Sequence, residues 1–346
     1  MAPSLPRNQA SPPQPVVFGK LPNRADFVRI NVSHPLAHEF DLLTQSALEK
    51  FRLQEGWEER YDSNPMMDIC YTSRDQKWLF LGGMVASRDQ SGRRYPLVAG
   101  LVFLPQAVSG AQMLLPIAGE VFFEGLREQL ANATENSVEA MGCHQFLESQ
   151  ALTWTQSASE LELAGQIVKQ FMDSRHPFVL GPALASAHQP GSVTQALLNL
   201  LFYRDFLRRF YSPSAIQLIE VPLQTGPGEA ALHACAWLSL LSSLAGGPEV
   251  GLGGFLIRQG RGADRANLYF SLGPMPDKVL LSAMGGMTPE EGRLNLGSEQ
   301  KTWQAHKLYA ETAYAMDRFI NDPAVTLTSL SGFTRELSQK IANAKP

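Results

Sequence analysis

Cysteine is scarce. The 346-residue chain has three, Cys70, Cys143 and Cys235, far apart and never in a C-x-x-C pair. That excludes a disulfide framework and a thiolate zinc site, and reads as small buried apolar side chains in a reducing compartment. No run approaches the ~20 apolar residues that a membrane-crossing helix needs, so no membrane insertion is expected. Residues 1–15 are rich in Pro, Ser and Gln and lack an apolar signal-peptide core. They are expected to be a disordered lead-in to a cytoplasmic protein. Charge is sparse too, at 18% of residues, and the net charge of −4 argues against nucleic acid as the main ligand.

Several catalytic signatures are missing. The chain has no G-x-x-x-x-G-K-[ST] phosphate loop, no H-E-x-x-H and no G-x-S-x-G elbow. Gly251, Gly253 and Gly254 lie close together without dinucleotide-loop spacing or a helix behind them, so a bend before a strand at Phe255 is expected. His34 and His38, with Glu39 beside them, are too few for a metal site and read as surface histidines at a helix start. Cys143 and His144 are adjacent on a helix, so their side chains diverge by about 100° and form no nucleophile–base pair. His233 and Trp237 sit one turn apart in an apolar stretch and read as core. No catalytic residue, metal or cofactor is expected.

What the chain does have is enough apolar material, 44% of residues, for a sizeable core. Leu36, Phe40, Leu43, Ala47, Leu48 and Phe51 recur at helical spacing after Pro35, with Ser33 as the expected cap. Apolar runs at 67–71, 78–86 and 96–103 predict strands, the last two an antiparallel hairpin around the polar connection 87–95, with Gly92 placed to turn the chain. Helices are expected over 120–133, 137–154, 159–173, 192–211 and 227–245, the first pair broken at Thr134, Glu135 and Asn136. A strand is expected at 215–221 and a second hairpin from 255–258 and 268–272. Helices at 276–284, 301–320 and 330–344 complete the pattern, and 178–190 reads as a boundary or crossover. The fold class is α/β: a mixed, largely antiparallel sheet flanked by helices, an α/β sandwich with extra C-terminal helices. The expected organisation is a tail to residue 15, an N-terminal α/β region over 16–180, a C-terminal α/β region over 181–300 that either shares the same sheet or forms a second domain, and terminal helices over 301–346.

The informative stretch is 16–29. Val16-Val17-Phe18 meets Gly19, Leu21-Pro22 extends the backbone, and Asn23 supplies turn chemistry. Lys20, Arg24, Asp26 and Arg29 crowd this strand end, and Asp89, Arg93 and Arg94 crowd the 87–95 connection. Two readings stand. The groups form internal ion pairs, such as Asp26 with Arg93, or the arginines grip an acidic or phosphorylated protein partner.

Gly19-Lys20-Leu21-Pro22 followed by Asp26-Phe27, with Asp89, Gly92-Arg93 and Tyr95-Pro96-Leu97, resembles the TagF (ImpM) family of type VI secretion accessory proteins. Gly253-Gly254-Phe255, Leu272-Gly273-Pro274 and Val279-Leu280-Leu281 extend the likeness more weakly. The resemblance implies a compact α/β sandwich and a cytoplasmic, non-enzymatic regulator that represses secretion post-translationally through an FHA-domain scaffold protein. It carries over no catalytic residues. The alternatives are a hydrolase or phosphatase-like enzyme near Lys20, Asp26 and Arg93, or a structural accessory subunit of the secretion apparatus.

Overall fold

In the computed structural model, the described residues are 12–108, 111–136, 140–155, 158–185, 192–210, 218–226, 228–244, 252–259, 266–289, 293–297 and 302–343. The chain opens with β1 (Gln14–Gly19), β2 (Val28–Ile30), α1 (Pro35–Arg52), α2 (Trp57–Asp62), β3 (Met66–Thr72), β4 (Leu79–Val85) and β5 (Leu97–Phe103). Helices α3 (Leu115–Ala118), α4 (Glu120–Glu135), α5 (Met141–Thr155), α6 (Ala158–Ser174), α7 (Gly181–Leu184) and α8 (Val193–Phe210) follow. Then come β6 (Leu218–Leu223), α9 (Glu229–Leu244), β7 (Leu252–Gln259), β8 (Ala266–Leu272), α10 (Asp277–Ala283), β9 (Arg293–Asn295), α11 (Tyr309–Ile320) and α12 (Leu327–Asn343).

The strands form one nine-stranded sheet in the order β2-β1-β5-β4-β3-β7-β8-β6-β9. Neighbours are antiparallel except β6 and β9, which run parallel. The first and second halves of the chain meet where β3 pairs with β7, Cys70 opposite Phe255. All seven residues of β4 and of β5 are buried, the mark of strands covered on both faces. Successive side chains alternate between two apolar layers. Phe18, Ile69, Tyr71, Phe80, Val98 and Leu256 join Phe40, Phe51 and Leu280 under α1 and α10. On the other face Val17, Cys70, Leu81, Leu101, Phe255 and Phe270 join Leu126, Leu147 and Trp237 of α4, α5 and α9. Helix α12 buries Leu327, Leu330, Leu337 and Ile341 and packs on α6, α8 and α9, so the terminal helices complete this second layer.

Close packing at the sheet centre depends on two small residues. Gly82 and Gly100 face each other across β4 and β5. A Cβ on Gly100 would lie 2.6 Å from both the Leu81 carbonyl and the Phe80 ring. The absent side chains leave room for Phe80, which stacks on Phe40 of α1 at 5.4 Å.

Several sequence expectations need correction. The cap of α1 is His34, not Ser33: its Nδ1 accepts from the Leu36 amide at 3.2 Å, because Pro35 already occupies the first helical position. Strand β1 begins at Gln14, inside the stretch expected as tail; residues 1–11 lie outside the described ones. Helix α4 runs through Thr134 to Glu135, the Thr134 hydroxyl donating to the Leu130 carbonyl at 2.9 Å instead of breaking the turn. The helix expected from 301 starts at Tyr309, after a 3₁₀ turn at Thr302–Ala305. The crossover stretch contains a 3₁₀ turn, Pro177–Leu180, and α7, and its end at 186–190 falls outside the described residues. Of the glycine-rich stretch, Gly253 and Gly254 lie at the bulged start of β7, and residue 251 lies outside the described ones. Among the described residues, no helix is long and apolar enough to cross a membrane.

Candidate interaction site at the end of the sheet

Strand β1 ends on Gly19, where a φ of 132° and a Cβ that would fall 2.1 Å from the Pro96 carbonyl oxygen exclude any side chain. The chain then turns, the Arg24 amide donating to the Leu21 carbonyl at 3.1 Å. The β4–β5 connection closes on itself. Asp89 N donates to Arg93 O at 3.1 Å, and Gly92, at φ 84°, donates to Asp89 O at 2.9 Å. The two loops are then stitched together. Gln90 N donates to Arg24 O at 2.9 Å, Ser87 Oγ to Lys20 O at 2.7 Å, and Arg93 Nη2 to Ala25 O at 3.1 Å.

Asp89 is the hub. Its side chain has no exposure, and Oδ2 takes Lys20 Nζ at 2.9 Å and Arg93 Nε at 2.7 Å. Oδ1 accepts from Ser91 N, Ser91 Oγ and Arg93 N at 3.0, 2.7 and 3.0 Å. The Lys20 ammonium first, with the Ser91 and Arg93 donors, holds this carboxyl far below the usual carboxylate range. The expected Asp26–Arg93 pair is therefore replaced by Asp89 with Lys20 and Arg93. The reason is local: Asp89 lies four residues before Arg93 in one closed turn, whereas Asp26 lies on the exposed outer stretch.

Arg94 is also committed inward. It forks onto Asp62, Nε to Oδ1 at 2.9 Å and Nη2 to Oδ2 at 2.8 Å, and its Nη1 reaches Glu58 at 3.1 Å. Its guanidinium lies 5.6 Å from the Trp57 ring centroid. Buried Tyr61 exchanges hydrogen bonds with Ser87, donating to its carbonyl at 3.0 Å and accepting from its amide at 3.1 Å. The partners of Arg94 and Ser87 thus come from α2, an element the sequence reading missed. Its signal was the run Trp57-Glu58-Glu59-Arg60-Tyr61-Asp62, where Glu58 and Asp62 share a helical face.

The structure therefore divides the seven residues singled out from sequence. Lys20, Asp89, Arg93 and Arg94 converge in a network that locks the loops. Arg24, Asp26 and Arg29 lie on the exposed surface beside it, with Arg29 5.2 Å from the Phe27 ring centroid. Among the described residues no group of three or more His, Cys, Asp or Glu side chains could hold a metal ion. His34 serves as a helix cap, and the three cysteines and His233 are buried. Burial pushes the Cys70 thiol up and holds the His233 imidazole below its ordinary value.

Compared with known proteins, the family model described as "TagF N-terminal domain, Type VI secretion system-associated" matches residues 16–150, which span β1 to α5 and include every residue of the loop cluster. No curated protein matches the chain. Among solved structures, PA0076 from Pseudomonas aeruginosa PAO1 matches at 20% identity and a TM-score of 0.32, over 39% of this chain and 60% of that one. The chain thus spans less than two thirds of that protein.

Proposed function

Since this chain belongs to the TagF family through residues 16–150 and is type VI secretion system-associated, we propose that it is a non-enzymatic, post-translational repressor of that system, acting in the cytoplasm by binding an FHA-domain scaffold protein. The observation that carries this reading is the closed charge network around Asp89. Lys20 and Arg93, the groups a phosphoryl-processing site would need at hand, are spent on a carboxylate that already accepts five hydrogen bonds. Such a network suits a rigid presenting surface, and Arg24, Asp26 and Arg29 stand exposed at its margin.

The test is affinity capture from the native cell, with type VI secretion followed on deletion and on overproduction. The reading expects the scaffold in the captured fraction, more secretion on deletion and less on overproduction. Capture of baseplate or membrane-complex parts at fixed stoichiometry would assign a structural-subunit role instead. Turnover of a generic phosphatase substrate by purified protein, lost on Lys20→Ala, would assign the enzyme role.

A further inference from the structure

Beside the loop cluster lies an open cleft of about 830 Å³ between α4 and the adjacent ends of β3 and β4. Its two walls differ in chemistry. Glu124, Glu128 and Glu135 line the α4 side, while Pro22, Pro65, Met66 and Val85 supply apolar surface on the other. The charges around it are unevenly spent. Asp62 is taken by Arg94, and Arg127 by Asp68 at 2.6 Å and Glu120 at 3.6 Å. Arg88, also on the lining, bears on the Asp62 carboxylate. Glu124 and Glu128 are exposed, one helical turn apart, and have no ion-pair partner among the described residues.

A second observation lies just behind the α4 wall. Asp68 is 2% exposed, and its Oδ1 has no hydrogen-bond partner among the described residues. Only its other oxygen is satisfied, by the cleft-lining Arg127. A buried carboxylate oxygen without a donor is costly. Arg127 is held inward on Asp68 and Glu120 and leaves Glu124 and Glu128 as the uncompensated charges of this wall.

We propose that this cleft receives an extended basic segment of a partner protein, with lysine or arginine at alternate positions. The spacing fits. Two carboxylates four residues apart on a helix are separated by about 6 Å along its axis, and alternate side chains of an extended strand by roughly 6.6 Å. From Glu124 to Glu135 the wall runs about 16 Å, room for about five extended residues. Bases at every second position face the helix, and the intervening side chains face the apolar wall. The chain's own residues 1–11 carry a single base, Arg7, and do not supply this pattern. Nucleic acid and acidic peptides are repelled. The proposal stands apart from the scaffold reading, since the two use different surfaces.

The test is fluorescence anisotropy with a fluorescein-labelled hexapeptide of alternating lysine and valine, against one of alternating glutamate and valine. The proteins are the full chain, its Glu124→Gln/Glu128→Gln variant, and a Glu160→Gln/Glu162→Gln variant that removes the same charge from α6. All four side chains changed in this way are polar at exposed positions, so thermal melting is expected to match across the three proteins. Saturable binding of the basic peptide is expected, weakened about tenfold by the α4 changes, as for two exposed ion pairs together. The α6 changes leave it intact. No saturable binding, equal weakening by both variants, or preference for the glutamate peptide would each overturn the proposal.

Discussion

Lys20 and Asp89, 69 residues apart in the chain, meet through a 2.9 Å ion pair whose carboxylate is completely buried. That contact makes the β1–β2 turn and the β4–β5 connection one body, and it is the feature from which most of the expected behaviour follows.

Asp89→Asn removes the charge that holds both Lys20 and Arg93 and leaves Lys20 nearly buried without a counter-ion. The variant is expected to melt at lower temperature than wild type, with faster amide exchange at Gln90, which bonds Arg24 across the two loops. Asp173→Asn, which breaks the exposed Lys169–Asp173 pair of α6, is the matched control and is expected to be nearly neutral. Because the native state holds the Asp89 carboxyl below its ordinary 3.8, its contribution is complete above that value and is lost as pH falls. The stability gap between wild type and variant should therefore narrow as pH falls below that value. Equal melting of the two variants would contradict the hub role.

Arg94 and Arg24 should separate under charge reversal. Arg94→Glu faces Asp62 and Glu58 directly and is expected to cost about 1 kcal/mol, a screened surface value, seen in urea melts. Arg24→Glu combined with Arg29→Glu alters exposed residues and is expected to leave the melt unchanged while weakening capture of the scaffold. The reverse pattern would move the partner contact onto Arg94.

Phe80→Ala should cost about 3–5 kcal/mol by emptying the space above the Gly82–Gly100 pair. Gly100→Ala is expected to cost about 1–3 kcal/mol, since its Cβ meets the Leu81 carbonyl as well as the ring, and a carbonyl cannot move aside as a side chain can. Pairing it with Phe80→Leu, which withdraws only the ring, should recover part of that loss. Differential scanning calorimetry on the three variants checks this.

Burial in the sheet pushes the Asp68 carboxyl up to about 7, against the opposing pull of Arg127. Its folded-state value thus exceeds the unfolded one of 3.8. Between these values the native state holds a proton that the unfolded chain has released, so this group makes stability fall as pH rises from about 4 to about 7. Asp68→Asn is expected to flatten that part of the stability–pH profile, measured by urea denaturation. An unaltered slope would show that Asp68 is ionised throughout.

The sheet was legible because its strands are short apolar runs bounded by turn residues. The 78–86 and 96–103 runs became β4 and β5 around the Gly92 turn, and the apolar positions of α1 are those it buries. Helix α2 and β9 were not legible. Six and three residues are too few to show a period, and β9 exists through its parallel pairing with β6, which sets Leu218 opposite Arg293, far along the chain. The candidate site was legible in composition and not in pairing. Sequence placed Lys20, Asp26, Asp89 and Arg93 in two clusters, but which carboxylate the cations choose depends on how the 87–95 turn closes. Glu128 and Arg127 of the cleft wall carried no signal at all, since a solvated charged helix face and a groove wall read alike until the strand ends opposite are known.

Under the proposed function the chain occupies a partner's surface and transforms no substrate. The most direct test is calorimetric titration of the purified chain into the purified FHA-domain scaffold, in chelator and without nucleotide, with the intact mass of the scaffold read before and after. The account expects saturable binding, weakened by Arg24→Glu/Arg29→Glu, and an unchanged scaffold mass. Absence of binding, or a scaffold that leaves the cell lighter or heavier than it entered, would contradict it.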